Sequence, residues 1–405
     1  MKEKANVVIV GGGIIGSSLA YSLARRISGI LVVEKEGIGS QASGSNYGMV
    51  WLQTRLAGLD LMMARRSLEM YEELTSEVFD IDIEFEKKGG MTVFRTVEQK
   101  TVMERVVHEQ QKLGILLRVV DALETHDLEP ALAPEIIGAT YCPEEAQLNP
   151  ILTTLAFARA AQRHGAIFKT GTEVTGIRTE KGRVTGVLTS QGEIETPWVV
   201  NAAGAWARRV AQMAFLELPI FPQRLQSLVT EPLAQRLLHR VLQGGRMVSQ
   251  EEIDHPEKAL SFAIKLSPDA DEKSLPVEPL EDCIFPFLKP TRSGNMVIGT
   301  TSEFVGHDKG VLPKALSLMM QRAVEIVPQL KEVHVIRTWA NFVPFTFDSL
   351  PVLGRVPELE GFLIAAGHAH AMSHAPATAE ALAELIVNNQ PPFPLEEASP
   401  LRFRQ

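Results

Sequence analysis

Val7-Val8-Ile9-Val10 runs into Gly11-Gly12-Gly13-Ile14-Ile15-Gly16, and after an apolar-periodic stretch to Ala24 the chain continues Ile30-Leu31-Val32-Val33-Glu34. The pattern is strand, glycine turn, helix, strand, closed by an acid. Gly11 permits a tight turn, Gly13 lets backbone approach a pyrophosphate, and Gly16 lets the helix lie close on the sheet. The free N–H groups and partial positive charge of the helix N-terminus then suit phosphate oxygens. Glu34 follows Gly16 by 18 residues, where a carboxylate accepts hydrogen bonds from both hydroxyls of an adenosine ribose. Such an acid disfavours a 2′-phosphate, so the motif predicts a dinucleotide without one.

A chain of 405 residues with 45% hydrophobic content suggests about two domains. Its net charge of −9 argues against nucleic acid as a partner. Cys142 and Cys283 are the only cysteines, which leaves no disulfide framework and no CxxC metal or iron–sulfur motif. The apolar runs fall short of a transmembrane span. Met1-Lys2-Glu3-Lys4 leads straight into the first strand, leaving no room for a signal peptide, so a cytoplasmic protein is expected.

After Glu34, the small residues from Gly37 to Val50 cannot build a core, but they let backbone pass close to a flat ligand while serine hydroxyls meet phosphate. Residues 59–79, 98–113, 150–164 and 316–327 have helical periodicity. Residues 85–94 read as a hairpin whose turn holds Gly89-Gly90, and residues 283–289 and 295–301 as a hairpin around Ser293-Gly294. Val199-Val200-Asn201 is a buried strand entering the turn Ala202-Ala203-Gly204-Ala205-Trp206. Between about 215 and 337, short strands and prolines mark a second, mostly antiparallel domain. His239, His255 and His307 stand isolated there, as solvated or locally bonded residues do. A late strand ends at Gly367 and gives way to His368-Ala369-His370-Ala371-Met372-Ser373-His374-Ala375-Pro376, with a helix to Val387 that carries Pro376 in its first turn.

Four separated signatures, Gly11 to Gly16 with Glu34, Ala42 to Met49, Val200 to Trp206 and Asp348 to Pro376, resemble the glycine oxidase and D-amino acid oxidase-like flavoproteins. That group includes the flavin subunits of opine oxidases, dye-linked proline dehydrogenases and hydrogen cyanide synthase. The resemblance implies an α/β protein: a discontinuous, Rossmann-like doubly wound FAD-binding domain (residues 1–80, 145–214 and 338–405) and an α+β, antiparallel-sheet substrate domain (81–144 and 215–337). It implies non-covalent FAD touched by Gly11, Gly13, Ile15, Gly16, Glu34, Lys35, Ala42, Ser43, Gly48 and Met49, with Val174 at the adenine. Ala203, Gly204 and Trp206 join that set, as does the loop Gly367, His368, Ala369, His370, Ala371 and Met372 beside the flavin N1–C2=O edge. Reduced flavin carries negative charge near N1, which backbone N–H groups and a helix dipole stabilise.

The resemblance also implies oxidation of a C–N bond in a small amine, amino acid or opine-like substrate by hydride transfer to flavin N5 and later imine hydrolysis. Electrons would pass to oxygen or to a protein or dye acceptor. The alternatives are a flavin-carrying subunit of a heteromeric dehydrogenase, which needs partner subunits, and a catalytically silent flavin-binding scaffold. His368 and His370 are the pocket candidates for catalysis, and no metal is expected. Members acting on simple amino acids are expected to clamp the carboxylate with bidentate arginine. Here those positions read Trp339-Ala340-Asn341-Phe342-Val343-Pro344 and Gly367-His368-Ala369-His370, without arginine. Either the substrate lacks the usual carboxylate, or Arg292, Arg337 or Arg55 reaches it from another direction.

Overall fold

The computed structural model describes residues 3–244, 275 and 279–403. Its organising element is a six-stranded sheet in the order Val352–Arg355, Phe362–Ala366, Val199–Asn201, Val7–Val10, Ile30–Val33, Ile167–Lys169. Every neighbouring pair is parallel except the first, which is antiparallel. Strands buried on both faces read as continuous apolar runs rather than alternations. That is why Val7–Val10 and Ile30–Val33 carry no polar residue.

Alternate side chains of these strands serve two cores. Val7, Ile9, Ile30 and Val32 pack with the helices Ile14–Ala24, Pro150–Arg163 and Ala371–Val387. Val8, Val10, Leu31 and Val33 pack against a four-stranded sheet of Glu3–Lys4, Gly192–Glu195, Arg183–Thr189 and Val174–Glu180, and against the short helix Ala207–Gln212. Asn149 starts the Pro150–Arg163 helix by accepting from Leu152 N–H, with proline at the first helical position.

A second sheet of eight strands runs Val335–Phe345, Phe221–Thr230, Met296–Gly299, Phe287–Pro290, Val241–Gly244, Gly90–Phe94, Gly138–Cys142, Arg118–Asp121. It is antiparallel apart from one parallel pair, Val241–Gly244 with Gly90–Phe94. Residue 338 falls inside Val335–Phe345, and that strand pairs with Phe221–Thr230 along nearly its whole length. The hairpin around Ser293-Gly294 is present as Phe287–Pro290 with Met296–Gly299.

Two local readings are corrected. Residues 85–94 do not form a hairpin: Glu86 bridges Gln147, and Gly90–Phe94 pairs with Gly138–Cys142 and Val241–Gly244. Gly90 serves close approach rather than a turn, since a Cβ there would fall on Glu145 Oε2 and Trp51. The last helix starts at Ala371, so Pro376 lies inside it rather than in its first turn. Proline has no N–H for the carbonyl four residues earlier, that of Met372. Tyr71 on the helix Leu59–Glu77 fills the gap, donating its hydroxyl to Met372 O at 2.9 Å. Tyr71→Phe should therefore destabilise the protein by about 1–3 kcal/mol, the cost of a buried carbonyl left without a donor. Urea denaturation checks this, and an unchanged midpoint would refute it.

Candidate active site

A cavity of about 460 Å³ lies between the C-terminal ends of the first sheet's strands and one face of the second. Ligands of open α/β sheets bind in the crevice outside such strand ends. The Gly11 turn, Ile14 and Ile15, Glu34 and Lys35 line one part. The helix start from His368 to Ser373 lines another. Tyr47, Trp51, Phe285, Phe287, Val343 and Phe345 form an aromatic and apolar wall, with Gln223, Gln243, Thr300 and Ser302 as its polar points.

The dinucleotide part is pre-shaped. Glu34 accepts Gly12 N–H at 2.7 Å on Oε2 and Glu36 N–H at 2.8 Å on Oε1, which fixes the carboxylate at the strand end. Ile14 N–H donates to Ser43 Oγ at 2.9 Å, so the serine loop is tied to the helix N-terminus. A Cβ on Gly13 would lie 2.8 Å from Ser43 Oγ, inside the cradle those groups form. The Lys35 ammonium sits 3.7 Å from the Trp206 ring centre, a cation–π contact. Arg209 Nη2 donates to His307 Nδ1 at 3.1 Å, and His307 Nε2 lies 3.2 Å from Ala205 O, so this histidine is locally bonded, as its isolation suggested. His255 lies outside the described residues.

Among the residues singled out from sequence, Gly11, Gly13, Ile15, Glu34, Lys35, Ala42, Ser43, Gly48, Met49, Val174, Ala203, Gly204, Trp206, His368, Ala369, His370, Ala371 and Met372 all line this cavity. Gly16 and Gly367 do not. Gly16 instead lets the helix touch the turn, where a Cβ would collide with Gly11 O. Gly367 holds the left-handed conformation (φ 75°) that starts the His368 loop.

The loop 40–50 is anchored across the cavity to the second sheet. Ser45 O accepts from Trp339 Nε1 at 2.9 Å and from Asn341 Nδ2 at 2.8 Å, and Tyr47 OH lies 2.8 Å from Ser227 Oγ. Burial pushes the Tyr47 phenol up to about 12, so it stays neutral and acts as a hydrogen-bonding group. Burial, then the nearby Arg55 charge, lowers His370 well below the ordinary histidine range. An imidazole that resists protonation cannot clamp an anion by charge.

The arginines offered as carboxylate partners are engaged elsewhere. Arg292 binds Asp82 at 2.5 Å and Glu86 at 3.4 Å near the surface. Arg337 is exposed, over the Trp339 ring. Arg55 is fully buried and paired with Asp60 at 3.3 Å. None of the three lines the cavity; Lys35 and Arg209, which do, stand with Trp206 and His307. Below the wall, Glu145 accepts Leu52 N–H and Gln53 N–H at 2.9 and 2.8 Å, and burial raises its carboxyl to about 8.

The aromatic wall escaped sequence reading because its residues come from strands and loops far apart, with no local motif. The run of aromatics at Phe285 and Phe287 was the one available signal.

A parallel sheet with a glycine-turn phosphate cradle, opening onto a pocket walled by a second sheet, defines a dinucleotide-dependent oxidoreductase. Residues 6–385 match the FAD dependent oxidoreductase (DAO) family, and the chain belongs to it. FAD is the cofactor of that family, and the Gly13 cradle and fixed Glu34 carboxylate fit it. The chain is 27% identical to hydrogen cyanide synthase subunit HcnC from Pseudomonas aeruginosa, over 91% of this chain and 88% of that protein. It is 26% identical to glycine oxidase from Geobacillus kaustophilus, over 98% of this chain and 96% of that protein. Among solved structures it is similar to L-proline dehydrogenase from P. horikoshii, with a TM-score of 0.82, 28% identity and coverage of 100% of this chain and 98% of that one. Among the described residues, no helix is long and apolar enough to cross a membrane.

Proposed function

We propose that this enzyme oxidises the C–N bond of a small amine bearing an apolar body, with Tyr47, Trp51, Phe285, Phe287, Val343 and Phe345 supplying the substrate side. The observation that carries this reading is the single cavity joining the Gly11 and Glu34 cradle to the wall of Tyr47, Trp51, Phe285 and Phe287. When bound, non-covalent FAD would supply the two-electron acceptor for that oxidation. The chain's own residues bind, orient and dry the reactants. Gly11, Gly13, Ser43 and Glu34 hold the diphosphate and ribose. The N–H groups of Ala371 and Met372, at a helix N-terminus, favour negative charge in the cavity. The aromatic wall takes the substrate's carbon skeleton and excludes water. Tyr47 and His370, both neutral, offer hydrogen bonds to the amine nitrogen, which must arrive unprotonated to give up its α-hydrogen as hydride.

Two measurements test this. Anaerobic mixing of the purified yellow protein with amino acids, cyclic imino acids, opines and amines lacking a carboxylate should bleach the flavin band with at least one class. No bleaching by any of them, while dithionite bleaches fully, would overturn the reading. Glu34→Ala should weaken FAD binding by about ten- to a hundredfold, the loss of hydrogen bonds to a charged acceptor. Fluorescence titration of apoprotein with FAD checks it, and unchanged affinity would remove Glu34 from the ribose site.

One observation favours a second reading, a flavin subunit of a larger dehydrogenase. The edge strand Val335–Phe345 exposes Val335 and Ile336 (40% and 60%) beside an open row of backbone groups, and the similar HcnC is itself called a subunit. Mass by size exclusion, with and without co-expressed neighbours, separates the two readings.

A further inference from the structure

Under the loop that carries His368 and His370 lies a set of buried polar side chains for which the proposed reaction has no use. Asp60, in the first turn of Leu59–Glu77, is 3% exposed. It accepts Leu56 N–H at 2.6 Å, pairs with Arg55 Nη1 at 3.3 Å, and stands 2.9 Å from His374 Nε2, off the line of an ideal hydrogen bond. Burial pushes Asp60 up, but Arg55 and His374 outweigh it and hold the carboxyl well below the usual carboxylate range. A carboxylate only accepts, so the His374 nitrogen facing it carries the proton and leaves Nδ1 as an acceptor.

His368 has a neighbour of its own: its Nε2 lies 3.0 Å from Thr378 Oγ1, and either group can donate. Both histidines are buried, at 2% and 1% exposure, and the Nδ1 atom of each has no hydrogen-bond partner among the described residues. The two rings lie 6.3 Å apart, tilted by 58°. Two hydrogen bonds of about 2.8 Å in series span a separation comparable with that between the rings. Buried polar atoms without protein partners are where buried water is found.

We propose that one buried water molecule bridges His368 Nδ1 and His374 Nδ1. Asp60 is thereby linked, through His374 and this water, to His368 in the cavity lining. Water offers two donors and two acceptors, so it satisfies the pair whichever nitrogen of His368 holds the proton. Asp60 and His374 do not line the cavity, whereas His368 does. They are positioning residues, setting the loop from His368 to Met372 and the helix N-terminus that follows. The water site stands on these atoms alone; its consequence for FAD rests on the cofactor reading above.

The test has two arms. A crystal structure of the FAD-loaded enzyme, fine enough to show ordered solvent, should place a peak within hydrogen-bond distance of both Nδ1 atoms. A dry gap, or rings turned onto protein partners, would overturn the proposal. In the second arm, His374→Leu and Asp60→Asn should each raise the FAD dissociation constant by about tenfold, the effect of a lost hydrogen bond to a charged group. His374→Gln keeps a donor for Asp60 and an acceptor for the water, and should stay within about twofold of wild type. Equal effects of Gln and Leu, or none from Leu, would refute the link. If His374→Leu does not fold, the crystal structure and Asp60→Asn decide. A protein that binds FAD and shows the water but oxidises no amine would sink the proposed function and leave this inference standing.

Discussion

Replacing Gly13 with valine is expected to yield a folded but colourless protein. Gly13 has φ −77° and ψ −173°, an extended conformation open to any residue, so the backbone is not strained by a side chain. The position of its Cβ meets only Ser43, at 2.8 Å from Oγ, and that hydroxyl can turn away at the cost of one hydrogen bond, from Ile14 N–H. What the valine methyls fill is the cradle between the glycine turn and the serine loop. FAD affinity should fall by at least about a hundredfold, close to 3 kcal/mol, with the urea midpoint of the apoprotein lowered only slightly. Retention of FAD by the purified variant would contradict the placement of the diphosphate. Gly16 gives the contrast: a Cβ there overlaps Gly11 O, so Gly16→Val should cost stability first and cofactor second.

Arg224→Leu should destabilise the protein by about 1.5–3 kcal/mol, the loss of charge-assisted hydrogen bonds from a buried guanidinium to a partly buried carboxylate. Arg224 is 3% exposed and donates to Glu303 Oε1 at 2.9 Å, Asp308 Oδ2 at 3.0 Å and Gly310 O at 3.0 Å. Glu303 is further held by Gln226 Nε2 at 2.6 Å and Thr301 Oγ1 at 2.9 Å. Burial works against its charge, yet these donors, Arg224 first, bring its carboxyl below the ordinary value. A depressed carboxyl contributes stability above its unfolded value and loses it as pH falls through the folded one. Urea melts of the wild type should therefore weaken below about pH 4.5. The Arg224→Leu variant should show a shallower acid dependence than wild type, Asp60 and Glu86 still contributing theirs, and an unchanged slope would count against the ion pair. Because Thr301 and Ser302 line the cavity beside Glu303, substrate affinity should fall with stability.

The parts legible in the sequence were those written in short, local code. The Gly11 turn needs specific residues at fixed offsets, and Glu34 needs only to end the next strand; both sit where the spacing put them. Helices such as Leu59–Glu77 and Pro150–Arg163 were readable because one face repeats every turn. Where one pattern serves two physical ends, reading failed. Gly89-Gly90 has turn composition, yet Gly90 is small because Glu145 and Trp51 crowd it. Pro376 looked like a helix start because nothing in the sequence shows that Tyr71, 305 residues earlier, would stand in for its missing N–H. The pocket wall was the least legible: Tyr47, Gln223, Phe287 and Val343 meet only through strand pairing, which no motif records. Likewise Arg292 and Arg337 were reasonable anion partners by type, and only the folded chain shows them engaged at the surface.

The central sheet sets the order in which the protein can be completed. Val7–Val10 lies beside Val199–Asn201, which in turn lies beside Phe362–Ala366, and the helix Ala371–Val387 packs on Ile14–Ala24. A nascent chain on the ribosome therefore holds its first glycine turn early but cannot close the pocket over it until synthesis has passed Val387. A chain cut short before that helix would leave the apolar faces of Ile14–Ala24 and Leu59–Glu77 uncovered, an open flank for chaperones and proteases to find.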